Sequence, residues 1–141
     1  MSCLTRCAAL GIASLVTACG ASPSAPTGST STTKTEIFSG ILERGGSRFY
    51  SFSTSSGGEV LVTVASLTSG SLVRTALSAA VEVGVGTPAG TDCAVASSAE
   101  VRAGLSAQLT LERWAGTHCV RVHDIGELEG AVTFAIRIVH L

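Results

Sequence analysis

The chain has 141 residues, of which 45% are hydrophobic, 4% aromatic and 13% charged, and its formal net charge is −1. This length is typical of one domain. The 9 cationic residues are scattered along the chain, so no basic stripe is available to neutralise phosphates and nucleic-acid binding is not expected.

The N-terminal segment carries one charge, Arg6, and then no charged residue from position 7 to position 18. This length fits the apolar core of an export signal and is too short for a membrane-spanning helix, which needs about 20 residues. The segment ends in Leu-Val-Thr-Ala-Cys at positions 15–19, which resembles the lipobox of bacterial lipoproteins. The resemblance implies that residues 1–18 are a cleaved signal peptide and that Cys19 is acylated. An ordinary secretory signal cleaved near Ala21 is the alternative.

Lipid attachment would determine where the protein resides, because two or more acyl chains give lasting membrane anchorage. We therefore expect a cell-envelope protein that is held by membrane lipid and faces the periplasm or the cell surface. Gly20 lacks the acidic side chain associated with inner-membrane retention in lipoprotein families, which favours the outer membrane where two membranes exist. Residues 20–35 are small and polar with two prolines, so residues 19–35 are predicted to form a flexible tether.

The remaining residues, 36–141, carry every Phe, Tyr and Trp of the chain. Along these residues apolar and polar side chains alternate with a period of two. No strong helical pattern interrupts this alternation. The pattern predicts an all-β, antiparallel sandwich of about seven or eight strands. In chain order, strands are expected at 35–42, 48–54, 60–65, 77–85, 105–111, 120–122 and 132–138, with a turn at 43–47 and a long loop at 86–98.

Cysteine usage in this domain indicates a disulfide. Cys3 and Cys7 leave with the signal and Cys19 is assigned to lipid, so Cys93 and Cys119 remain as a pair. Two cysteines in an exported domain favour a disulfide bond. Free thiols, or half of a zinc site, are the alternatives, but there is no CxxC spacing and no third ligand nearby.

Several short motifs of the domain resemble the bacterial pre-peptidase C-terminal family. They are Gly40-Ile41-Leu42, Tyr50-Ser51-Phe52, Gly57-Gly58 before a valine-rich strand, the run from Gly116 to Val122, and Gly130 leading into Phe134. The resemblance covers most of residues 36–141 and implies a jelly-roll-like β-sandwich. His118 and Phe134 depart from it, because tyrosines are usual there. The family accompanies secreted hydrolases as a non-catalytic module, so the resemblance implies a binding, spacing or secretion-assisting role without active-site residues.

The polar residues that invite a catalytic or metal-binding interpretation are His118, His123, Asp124 and His140. On one extended strand His118 and His123 point to opposite faces and cannot share a ligand. Cys119, Arg121 and His123 are expected to form a solvent-facing row opposite the buried Val120 and Val122. The serines do not lie in a nucleophile elbow, and the acidic residues match no calcium loop. We therefore expect no catalytic residues, no metal and no cofactor.

Trp114 is the residue most relevant to ligand binding. It lies near a strand end, where an indole either covers the core or stacks against a sugar or a partner side chain. The favoured hypothesis is a lipid-anchored, non-catalytic module that binds an envelope protein or glycan. The alternatives are a purely structural envelope lipoprotein and, least favoured, a hydrolase.

Overall fold

Nine β-strands contain most of the residues that the computed structural model describes, namely residues 32–70 and 74–141. The predicted signal peptide, Cys19 and residues 20–31 of the predicted tether lie outside these residues. The strands are β1 (Lys34–Leu42), β2 (Ser47–Thr54), β3 (Gly58–Ser69), β4 (Thr75–Ala76), β5 (Ala80–Ala89), β6 (Asp92–Arg102), β7 (Leu109–Arg113), β8 (Gly116–His123) and β9 (Val132–His140). The described part of the chain contains no helix, so the all-β prediction is confirmed.

The strands form two antiparallel sheets. The first sheet has the order β1-β9-β3, and β3 then pairs with both β4 and β7; the second sheet has the order β2-β8-β5-β6. Apart from the two-residue β4, the orders β1-β9-β3-β7 and β2-β8-β5-β6 are those of a jelly roll. The predicted jelly-roll-like sandwich is therefore the observed architecture, with nine strands instead of seven or eight.

The core lies between the sheets because one face of each central strand is apolar. In β9 every second residue from Val132 to His140 is buried, and the residues between them are only partly covered. β5 and β8 of the second sheet contribute valines to the same core. Burial of each such side chain contributes about 1.5–3 kcal/mol, so this alternation is the main determinant of the fold. The core is rich in valine, in a chain of which only 4% of the residues are aromatic.

The side of the sandwich formed by β1 and β2 is closed by side chains rather than by strand pairing. The Tyr50 hydroxyl donates to the Ser39 carbonyl oxygen at 2.9 Å, and Arg48 Nε donates to the Ile41 carbonyl oxygen at 3.0 Å. These bonds occupy backbone acceptors of β1, which would otherwise be open to another strand. β1 begins at Lys34, two residues before the predicted domain boundary at 36.

The long loop predicted at 86–98 is wrong. β5 continues to Ala89, and β6 returns from Asp92 through a tight hairpin turn in which Gly90 has a φ of 61°. Gly86 permits this pairing, because a side chain there would overlap the carbonyl oxygen of Ala94 on β6. Gly86 and Pro88 were interpreted as loop residues, but both lie in β5 and pair closely with β6.

The predicted disulfide between Cys93 and Cys119 is present, with the two Cα atoms 5.9 Å apart. It joins β6 to β8, the two strands that flank β5 in the second sheet. Both cysteines are buried. Cys119 was expected in the solvent-facing row of β8, and this expectation is wrong because the disulfide covers it.

Replacing both cysteines in the variant C93S/C119S is expected to lower the free energy of unfolding by about 3.5 kcal/mol. The reason is that the disulfide closes a loop with a sequence separation of 26 residues and so restricts the unfolded chain. Urea unfolding of the variant and of the parent, with and without reductant, measures the difference. Reductant should destabilise the parent only, and equal stability of the two oxidised proteins would contradict a stabilising role.

Candidate functional site

Asp124, at the end of β8, is a structural residue. Its Oδ1 accepts hydrogen bonds from the backbone N–H groups of Gly126, Glu127 and Leu128 at 2.9, 3.1 and 3.2 Å, and its Oδ2 accepts one from Gly45 at 2.7 Å. Burial acts to raise the pKa of this carboxyl, but the four backbone bonds outweigh it and hold the pKa below the usual 3.8. Asp124 therefore organises the β8–β9 connection and fastens it to the β1–β2 turn.

His140 and Glu36 form a second buried polar contact, at the point where the chain enters β1. His140 Nε2 lies 3.0 Å from Glu36 Oε1, and the Lys34 ammonium lies 2.8 Å from the same oxygen. Burial acts to raise the pKa of Glu36, but the hydrogen bonds from Lys34 and His140 outweigh it and lower the pKa below 4.5. This cluster fixes the start of β1 against the end of β9.

The remaining two histidines lie on opposite faces of β8, as the spacing predicts. His118 is buried and its ring lies 5.6 Å from that of Phe52. His123 lies partly covered on the other face, and its Nδ1 donates to the Gly46 carbonyl oxygen at 3.0 Å. Within residues 32–70 and 74–141, no three His, Cys, Asp or Glu side chains are arranged to hold a metal ion.

A depression of about 640 Å³ lies beside the start of β5. Two of its polar side chains bind the protein's own backbone: Glu127 accepts from the Ala80 N–H at 2.6 Å, and Arg102 donates to the Ser78 carbonyl oxygen at 2.8 Å. Ser69 belongs to its rim, and residues 71–73, just beyond it in the chain, lie outside the described residues. It is therefore not the candidate site.

Trp114 is the aromatic residue among the exposed large apolar residues of the described surface, and 86% of it is exposed. It lies in the turn between β7 and β8. The interpretation in which the indole covers the core is wrong, because the core beneath this turn is already filled by Phe52 and His118. The alternative, an indole available for contact with a ligand, remains a prediction.

The backbone of Trp114 is firmly held although its side chain is exposed. Its carbonyl oxygen accepts a hydrogen bond from the Thr54 hydroxyl at 2.9 Å and another from His118 Nε2 at 2.8 Å. Both donors are buried. Since the carbonyl is held inward by two bonds, the turn presents the indole on a rigid support, which lowers the entropy cost of binding through it.

A depression of about 520 Å³ surrounds the indole and is lined by Gly57, Gly58, Glu112, Arg113 and Trp114. Gly57 lies beside the ring: a Cβ at this position would be in ordinary van der Waals contact with Trp114 Cε3, at 4.0 Å. Arg113 Nη2 donates to the Val85 carbonyl oxygen at 3.2 Å, so this guanidinium is turned toward the second sheet. We define Trp114 with Gly57, Gly58 and Glu112 as the indole site.

The sequence predicted Trp114 as a possible contact but not its neighbours. Gly57 and Gly58 were interpreted only as a turn between strands, and Glu112 was not singled out. The pairing of β3 with β7 brings them together, with Gly58 opposite Arg113. Nothing in the local pattern around Gly57 indicates that its partner is the segment before Trp114.

Comparison with known proteins adds no relative: no protein-family model matches the chain, and no curated protein matches it at a significant level. In the described residues there is also no helix of sufficient length and apolarity to cross a membrane.

Replacing Asp124 with asparagine is expected to destabilise the protein at pH 7 by about 1–3 kcal/mol, because the charged acceptor of several buried N–H groups is lost. A carboxyl with a lowered pKa stabilises the fold above its unfolded value of 3.8, and this contribution disappears as the pH falls through the lower folded value. The difference between D124N and the parent should therefore shrink below pH 3.8.

Urea unfolding between pH 7 and strongly acidic pH measures this difference. The exposed Glu129, in the same connection, provides the control variant E129Q, which should follow the parent at every pH. A deficit of D124N that stays constant throughout the acidic range would show that the Asp124 charge has no special role.

Proposed function

We propose that this chain is a lipid-anchored, non-catalytic binding module of the bacterial cell envelope, which contacts a partner through the indole site. The observation that carries the proposal is Trp114, with an 86% exposed side chain on a backbone held by two buried donors. A large exposed aromatic side chain on a rigid support is typical of residues that dominate protein interfaces.

The hydrogen bonds made by the other candidate polar residues support a non-catalytic role. Asp124 is committed to backbone N–H groups, His118 to the Trp114 carbonyl oxygen and His140 to Glu36. A general base or nucleophile needs a free polar atom directed at a substrate. In these residues the side chains instead satisfy the protein's own groups.

The position of the indole site relative to the tether supports a partner close to the membrane. β1 begins at Lys34 opposite His140, and His140 and His118 pack on Phe52 within 5.5 and 5.6 Å between ring centres. The chain therefore enters the domain at the same end of the sandwich as Trp114. A flexible tether of this composition has a root-mean-square end-to-end distance of roughly 20–25 Å. This distance from the membrane surface sets where the indole site would meet a partner.

The anchor is tested by the mass and location of the protein made in a bacterial host. We expect the parent to start at Cys19, carry acyl chains and sediment with membranes, because the lipobox would direct cleavage after Ala18. The variant C19S should lose both the lipid and the membrane association, whereas C7S, changed within the signal, should behave as the parent. Parent protein that begins at Met1 without added hydrocarbon would contradict the anchor.

The contact is tested by placing a photo-reactive phenylalanine analogue at position 114 of the full chain in living cells. We expect one discrete crosslinked product, identified by mass spectrometry and reduced when excess parent protein is co-expressed. Leu105 is 90% exposed in another loop, so the analogue at position 105 is the matched control and should give no such product.

The variant W114A completes this test. Because the side chain is exposed, its removal should change the free energy of unfolding by no more than about 0.5 kcal/mol while abolishing capture through a crosslinker placed nearby. Equal capture from positions 114 and 105 would contradict a specific contact and favour a purely structural lipoprotein.

A further inference from the structure

The two sheets contain two directly opposed pairs of glutamates. Glu82 on β5 lies opposite Glu100 on β6, and Glu59 on β3 lies opposite Glu112 on β7. Directly opposed side chains have Cβ atoms about 4.5–5.5 Å apart, so like charges in these positions repel each other. Each pair therefore gains stability if a cation lies beside it.

The first pair has such a cation within the protein. Arg121, on the neighbouring strand β8, donates to Glu82 Oε1 at 2.9 Å. The second pair differs, because neither Glu59 nor Glu112 takes part in an ion pair among the described residues. Both residues are exposed, so the carboxylates are accessible from outside.

The adjacent arginine does not fill this position. Arg113 follows Glu112 in the chain, but successive residues of a strand face opposite sides. Its Nη2 donates to the Val85 carbonyl oxygen of the second sheet at 3.2 Å. The guanidinium is thus directed into the sandwich, while Glu112 faces outward.

The exposed indole lies beside this glutamate pair. Glu112 and Trp114 line the same depression, and Gly57, two residues before Glu59, faces the indole ring. Glu59 lies directly opposite Glu112 in the β3–β7 pair, so its side chain extends from the same face of the sheet as that of Glu112. An aromatic face and two carboxylates therefore border one open surface.

We propose that the indole site, together with Glu59, binds the protonated amine or guanidinium of a lysine or arginine side chain on a partner protein. This inference rests on the proposed function and names its ligand. A cation is attracted both by the negative face of an indole and by the carboxylates, and the two contributions coincide here.

Trp114 also supplies the measurement, because it is the only tryptophan of the chain. The full chain in nonionic detergent is titrated at low ionic strength with acetylated tetralysine amide while the indole fluorescence is recorded. We expect a saturable change that disappears in 0.5 M salt. Tetraglutamine peptide, a tetramer of N-acetylglucosamine and zwitterionic lipid vesicles serve as the neutral, glycan and membrane probes and should give no saturable change.

The variant E59Q/E112Q preserves the shape of the site and removes its charge. We expect it to weaken tetralysine binding about tenfold, as follows from the loss of two solvent-exposed charge contacts next to an aromatic ring. The control E100Q removes one exposed carboxylate from the other glutamate pair and should change the affinity less than about twofold. E59Q/E112Q should also melt no lower than the parent, because the repulsion between the two residues is relieved.

Three results would overturn the inference: no response to tetralysine at millimolar concentration, an equal loss of affinity in E59Q/E112Q and E100Q, or saturable binding only of the glycan or of the vesicles. These results are separable from the proposed function. If position 114 still captures a discrete partner in cells but tetralysine does not bind, the binding module stands and its cationic ligand is wrong.

Discussion

The inward face of β8 is the constraint on which the other features depend. His118, Val120 and Val122 are buried between the sheets, while β8 pairs with β2 on one side and β5 on the other. This orientation directs Cys119 to the opposite face, where it meets Cys93. It also places His118 beneath the Trp114 carbonyl oxygen. A register shift of one residue would reverse all of these positions, because side chains alternate along a strand.

Several buried polar side chains of the described residues satisfy the backbone of irregular segments. Asp124 binds the N–H groups of the β8–β9 connection, and Thr54 and His118 bind the β7–β8 turn through the Trp114 carbonyl oxygen. Buried backbone groups without partners are costly, so such bonds are required wherever a connection leaves the sheets. The bonds that stabilise the β7–β8 turn hold the backbone of Trp114, while its indole stays exposed.

The alternation of residues predicted the central strands well and the hairpin of β5 and β6 poorly. β9 has one buried and one partly covered row without interruption, which is the pattern that a period of two describes best. In β5 and β6 the signal is obscured by Pro88 and by glycines, which locally favour turns. There the long-range pairing, including the close approach of Gly86 to Ala94, outweighs the local preference.

The sequence by itself determined the fold class, the valine-rich core, the opposite faces of His118 and His123 and the pairing of the two domain cysteines. These follow from alternation and from composition, which are properties of neighbouring residues or of the chain as a whole. Only the tertiary structure decided the exposure of Trp114, the burial of Cys119 and the meeting of Glu59 with Glu112. Each of these depends on which strand lies beside which, and strands distant in sequence are brought together by burial of a shared core that no local pattern specifies.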